Sequence, residues 1–163
     1  MATFKRFEDL PVWQEAIRLA QGVYDMTESK TWPGSARLRD QIERAALSVS
    51  NNIAEGFERG TTKELLAFLY IARGSAGEVR SMLCFLERRP AFDNFKSQIS
   101  NLKSIAESCS RQIRAWANHL QNSKIQGQRH LNLTTSQAYQ RKKDQDIFLK
   151  ELQQYLPKDQ QKN

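Results

Sequence analysis

The sequence predicts an all-α fold: an up-down-up-down four-helix bundle over residues 1–122, followed by a flexible C-terminal extension over 123–163. Three observations predict it. Apolar residues recur at spacings of three and four along four long segments. No apolar/polar alternation of the kind a half-buried strand needs occurs in 1–122. With 7 Gly and 4 Pro in 163 residues, the chain also lacks the turn residues that an all-β fold requires about every ten positions.

The first helix reads from about Asp9 to Thr27, with Asp9 as N-cap and Pro11 in the first turn. Its apolar stripe reads Leu10, Trp13, Ile17, Ala20, Tyr24. Trp32-Pro33-Gly34-Ser35 reads as a loop. The second helix runs from about Ala36 to Glu58, with a narrow stripe of Ile42, Ala45, Ala46, Val49, Ile53 and Phe57. Thr61-Thr62-Lys63-Glu64 spells a capping box, Thr61 as N-cap and Glu64 reaching back.

The third helix runs from about Thr62 to Arg89 and stops before Pro90. Leu65, Leu66, Phe68, Leu69 and Tyr70, with Ile71, are apolar nearly all round. A helix in a lone small bundle keeps a polar face, so these five are the candidate oligomer interface. Gly74 and Gly77 in mid-helix each cost about 1 kcal/mol against Ala, which a close helix crossing would offset. The fourth helix runs from about Asp93 to Gln121. Its seam is Phe95, Ile99, Leu102, Ala106, Cys109, Ile113, Trp116, Leu120.

The charge is uneven. Residues 1–122 hold 17 Lys+Arg against 14 Asp+Glu, and residues 123–163 hold 8 against 4. The second stretch also carries nine of the 15 Gln and few large apolar residues before Ile147. It reads as a basic Gln-rich tail, mostly disordered, with a short helix at 138–156. The two Cys and the absence of an apolar signal core in Met1–Asp9 lead to the expectation of a reduced, cytoplasmic protein. The longest apolar run, Leu65–Ala72, is far too short to span a membrane, so no membrane partner is expected.

Catalysis fails on inventory. The chain has two His, and neither follows a Glu by three positions as a di-metal bundle requires. No phosphate-cradling or nucleophile-elbow motif is present. The expectation is no catalytic residues, no metal and no cofactor. What remains is a net charge of +7, with 12 of the 17 cations in 1–122 being Arg. Arg favours bidentate phosphate contact. Arg73 and Arg80 lie seven apart on one face, Arg88 and Arg89 close the third helix, and Arg111 and Arg114 lie near the end of the fourth. Together with Arg141, Lys142 and Lys143 of the tail, these are the candidate nucleic-acid-binding residues, with RNA or DNA as partner. Phe68, Phe85 and Trp116 read as core, so no aromatic residues interleave with the basic ones. Taken singly, each Arg also fits a solvated face with ion pairs, since Glu78, Glu87 and Glu107 are near in sequence.

Three blocks carry a family resemblance. They are Phe7-Glu8-Asp9-Leu10-x-Val12-Trp13-Gln14-x-Ala16, then Leu38-Arg39-Asp40-Gln41-Ile42-x-Arg44-Ala45-Ala46-x-Ser48-Val49-x-x-Asn52-Ile53-Ala54-Glu55-Gly56, then Lys63-Glu64-x-x-x-Phe68-Leu69-x-Ile71-Ala72-Arg73-Gly74-Ser75-Ala76-x-Glu78. In order and spacing the chain resembles the four-helix bundle proteins of bacterial 23S rRNA intervening sequences. Their superfamily includes the accessory variability determinant of diversity-generating retroelements. The resemblance implies a bundle that assembles as a ring-like homopentamer with a basic surface and no catalytic residues. In the retroelement branch it implies binding a reverse transcriptase and nucleic acid. In the intervening-sequence branch no activity is assigned, and a protein-interaction oligomer without a nucleic-acid role is the alternative. The tail after about residue 122 departs from the family pattern.

Overall fold

The computed structural model describes residues 4–122 and, further on, 137, 140–142 and 144–148. Four α-helices follow one another: α1 (Pro11–Thr27), α2 (Ala36–Glu58), α3 (Thr62–Glu87) and α4 (Lys96–Gln121). Short 3-10 helices at Phe7–Asp9 and Pro90–Phe95 precede α1 and α4. There is no strand among the described residues. Each α-helix packs on two others: α1 on α2, α2 on α3, α3 on α4, and α4 back on α1. The result is an all-α helical bundle around one apolar core.

The start of α1 differs from the sequence expectation. Leu10 holds the N-cap position without a side-chain bond, and Asp9 belongs to the preceding turn. The Gln14 amide instead secures that turn, donating to the Glu8 carbonyl at 3.0 Å. The buried row is Val12, Ala16, Leu19, Val23, Met26. Of the expected stripe, Leu10 and Ala20 are buried, while Trp13, Ile17 and Tyr24 are only half-buried. Because α1 meets both α2 and α4, its apolar arc is wider than one row, and the expected row is the edge of that arc.

α2 begins and ends as its sequence indicates. The Ser35 hydroxyl accepts from the Leu38 amide at 3.2 Å. Ile42, Ala45, Ala46, Val49 and Ile53 are buried, and Gly56 lets α3 come close. α3 is capped by Thr61, whose Oγ1 accepts from the Glu64 amide at 3.2 Å. Glu64 closes the box on the Thr61 hydroxyl, at 2.7 Å. The helix stops at Glu87, two residues short of the expected end. The chain from Pro90 then makes a 3-10 helix, so α4 starts at Lys96 rather than Asp93. Phe95, Ile99, Leu102, Ala106, Cys109 and Ile113 of the expected α4 seam are buried, and Trp116 and Leu120 pack partly buried against them.

Trp32, in the loop before α2, turns inward. Its ring lies edge-on to Phe92 at 5.1 Å and to Phe95 at 6.0 Å, closing one end of the core. Among the described residues the close crossing expected at Gly74 and Gly77 is not seen, since a Cβ at either would meet nothing within 4 Å. Ala72, Ala76 and Val79 are the buried neighbours, so the two glycines lie on the opposite, outer face.

The chain falls into two units, 1–128 and 129–163. In the second, residues 137, 140–142 and 144–148 are helical and exposed. The rest of the expected disordered tail lies outside the described residues.

Candidate nucleic-acid interface

α3 and α4 run side by side with a groove of about 690 Å³ between them. Arg73 and Arg80 lie along its α3 side, about 10.5 Å apart along the axis at 1.5 Å per residue. Gly74, Gly77, Ser81 and Cys84 complete that side, and Ala106 and Ser110 line the α4 side. Arg114, exposed, follows Ser110 by four residues and so lies one turn further along the same face of α4. Tyr70 stands at the edge of the groove, 46% exposed, its hydroxyl accepting from the Gln121 amide at 2.5 Å.

Arg88 and Arg89 sit just beyond α3, both exposed. The Arg89 guanidinium lies 5.9 Å from the centroid of the Phe85 ring. Phe85, placed in the core by sequence, is 52% exposed and lies on the outer face of α3. Its neighbours Leu83 and Leu86 take the buried positions. The signal that could have found it is its distance from the Leu65–Leu69–Ala72–Ala76–Val79–Leu83 row.

Among the described residues, Arg73, Arg80, Arg88, Arg89 and Arg114 have no carboxylate within 4 Å. Arg111 differs, paired with Glu107 at 3.2 Å. Lys96 and Lys103 are paired as well, with Asp93 at 3.0 Å and Glu87 at 2.6 Å. The Glu87 bond holds the Lys103 ammonium above its ordinary pKa. Arg141 and Lys142 are exposed residues of the second unit, and Lys143 lies outside the described residues.

The expected oligomer interface needs correction. Leu65 and Leu69 are completely buried in the chain's own core and present no surface to a partner. Leu66 and Phe68 are partly buried, with Arg59 over the Phe68 ring at 5.3 Å. Of the five, Tyr70 is exposed. A run apolar nearly all round does not therefore leave all its residues outside. The 3.6-residue turn sends Leu65 and Leu69 inward and leaves Tyr70 and Ile71 out.

On its other side α3 meets α2 along a groove of about 770 Å³. Here Arg44 pairs with Asp40 at 3.6 Å, Arg37 and Glu78 also line the groove, and the Ser48 and Ser75 hydroxyls bond at 2.8 Å. Leu47, 37% exposed, lines this mostly polar groove, and Ile71, 52% exposed, precedes Ser75 by four residues on α3. The lining of this groove carries charges of both signs, whereas that of the α3–α4 groove carries only the positive charges of Arg73 and Arg80.

No group of three or more His, Cys, Asp or Glu able to hold a metal occurs among the described residues. His119 is exposed in the last turn of α4. Cys109 is fully buried, and burial pushes its thiol up to about 11. No helix among the described residues is long and apolar enough to cross a membrane.

Residues 8–115 match the family model of the 23S rRNA-intervening sequence protein. No curated protein matches the chain. Among solved structures, the chain is similar to a protein of unknown function from the S23 ribosomal protein family of Bacteroides thetaiotaomicron VPI-5482. The TM-score is 0.58 at 17% identity, over 65% of this chain and 97% of that one. At that identity the likeness speaks for the fold.

Proposed function

Since the chain belongs to the 23S rRNA-intervening sequence protein family, whose membership fixes no activity, we propose from its surface that it is a non-enzymatic, oligomeric nucleic-acid-binding adaptor of the cytoplasm. The observation that carries this reading is the set of arginines on α3, just beyond it and on α4 that have no carboxylate within 4 Å among the described residues: Arg73, Arg80, Arg88, Arg89 and Arg114. Among those residues, then, the charge of the five is not offset by an ion pair. A guanidinium with its five N–H donors free is suited to phosphate oxygens. Binding of this kind is read mostly from the phosphate backbone and carries little sequence preference.

The adaptor works as a homopentamer with alternating helix directions in each bundle. Five copies carry 5 × 7 = +35, which strengthens the field felt by a polyanion. The contact between copies uses the Leu47–Ile71 side of α3, leaving the arginine groove to the nucleic acid. In a retroelement setting the second partner is a reverse transcriptase, held near its template by the ring.

A second reading, a protein-interaction oligomer with no nucleic-acid role, is favoured by the exposed Leu47, Tyr70, Ile71 and Phe85. A filter-binding titration of a labelled RNA and DNA at two salt concentrations separates the two. The proposed function gives binding that weakens steeply with salt. An absence of binding at low salt would leave only the second reading.

A further inference from the structure

We infer that the outer face of α3 is a stacking platform for single-stranded nucleic acid, with bases lying on Tyr70 and Phe85 and phosphates on Arg73, Arg80 and Arg88. The inference rests on the nucleic-acid reading above and names the form of polyanion that this site takes.

Three features of one surface point to it. The first is the pair of exposed aromatic rings. Tyr70 and Phe85 are 46% and 52% exposed, fifteen residues apart on one helix, and so about 22 Å apart along the axis. Tyr70 is held by the Gln121 amide on its hydroxyl, while Arg89 lies over one face of the Phe85 ring at 5.9 Å and must share or yield that face to a base. A ring fixed in place loses less entropy when a base settles on it.

The second is the floor between them. Gly74, Gly77 and Ser81 follow Tyr70 at spacings of four, three and four, which keeps them on one side of the helix. A Cβ on either glycine would meet nothing within 4 Å, so the floor is low and open. A flexible strand can lie along it between the rings.

The third is the charge. Arg73 and Arg80 stand along the α4 side of this floor, and Arg88 follows Phe85 by three. None has a carboxylate within 4 Å among the described residues. Charge complementarity therefore selects a polyanion over a neutral helix as the occupant of this face. Exposed rings select a single strand over a duplex, because paired bases keep their faces inside the stack. Tyr70 and Phe85 would be idle against a duplex, which offers them sugar and phosphate.

The test measures fluorescence anisotropy of 20-nucleotide oligo(dT), oligo(U) and a 20-base-pair duplex with the full chain, Tyr70→Ala and Phe85→Ala. Both residues are half-exposed, so both variants fold, and circular dichroism and light scattering check this. Each substitution is expected to weaken both single strands between about 5-fold and about 150-fold. Duplex affinity and the salt slope should stay as in the parent. If the parent binds in a salt-dependent way and both variants match it, the stacking platform is wrong while the adaptor reading stands. If the parent binds none of the three probes, the adaptor reading itself fails. A loss confined to one sugar type, or a change in particle mass in either variant, overturns the platform. The second of those results would assign the face to another protein chain.

Discussion

A methyl group placed on Gly56 would meet the Cβ of Phe68 at 2.7 Å. The contact marks a close approach of α2 and α3, and the obstructing atom is next to the backbone, so it cannot swing aside. Gly56→Ala is expected to destabilise by about 1–3 kcal/mol through overpacking. Gly74→Ala and Gly77→Ala should instead each stabilise by up to about 1 kcal/mol, from helix propensity alone. Chemical denaturation of the three variants checks the signs. Gly56→Ala as stable as the parent would mean that the helices separate more easily than this packing implies.

The inner and outer sides of α3 give a second contrast. Leu69→Ala should cost about 2–5 kcal/mol, as for a completely buried leucine. Ile71→Gln, at a position 52% exposed within one chain and placed in the proposed contact between copies, should change the stability of the dissociated bundle by less than about 0.5 kcal/mol while weakening the assembly. Equal losses at both sites in the dissociated chain would contradict the burial contrast between Leu69 and Ile71.

Thr27 is completely buried, and its hydroxyl donates to the Glu43 carboxylate at 2.5 Å, tying α1 to α2. Thr27→Val keeps the shape and removes the donor. It should cost about 1–3 kcal/mol, because the partner is left short of a hydrogen bond. Thr27→Ser, which keeps the hydroxyl, should retain most of that contribution. Thermal melts of the pair decide it, and a Thr27→Val variant as stable as the parent would show that the Glu43 hydrogen bond contributes nothing.

Sequence reading recovered the elements whose signals are local. α2 was legible to the residue because Trp32-Pro33-Gly34-Ser35 breaks the pattern before it and Arg59-Gly60 follows it; the Ser35 cap itself came only from the structure. The α4 seam was legible because one row, Ile99 to Ile113, keeps strict heptad spacing. Both signals need only the helical period. Phe85 was not legible, since a lone aromatic in an apolar helix gives no sign of which side the neighbouring helices cover. The same blindness misplaced Leu65 and Leu69 on a partner-facing surface and put a crossing at Gly74 and Gly77. α1 failed by one row because two helices share its apolar arc. The Arg73/Arg80 pair was legible from its seven-residue spacing. The difference between Arg111 and Arg114 had a local signal as well, since Arg111 follows Glu107 by four residues and pairs with it, while Arg114 follows it by seven.

The two thiols should react very differently. Cys84 lines the α3–α4 groove, and Cys109 is fully buried with its pKa raised by burial to about 11. A thiol-specific reagent at pH 8 should label Cys84 in the native protein and Cys109 only on unfolding. The Cys109 contribution to stability is intact below its unfolded pKa of 9.0 and is lost as pH rises toward about 11, since the unfolded state ionises first. Mass spectrometry of labelled peptides reads the first part. Rapid native labelling of both would contradict the burial of Cys109.

The central claim is that Arg73, Arg80 and Arg88, which have no carboxylate within 4 Å among the described residues, hold phosphates. Its most direct measurement is the salt dependence of oligonucleotide affinity for the full chain and for the triple variant Arg73→Gln/Arg80→Gln/Arg88→Gln. Each phosphate contact on a single strand contributes about 0.7 to the slope of log affinity against log salt. The account predicts a steep negative slope in the parent, and a slope about 2 units shallower in the triple variant, with weaker binding to every sequence alike. A triple variant that binds with the parent's affinity and slope would contradict it.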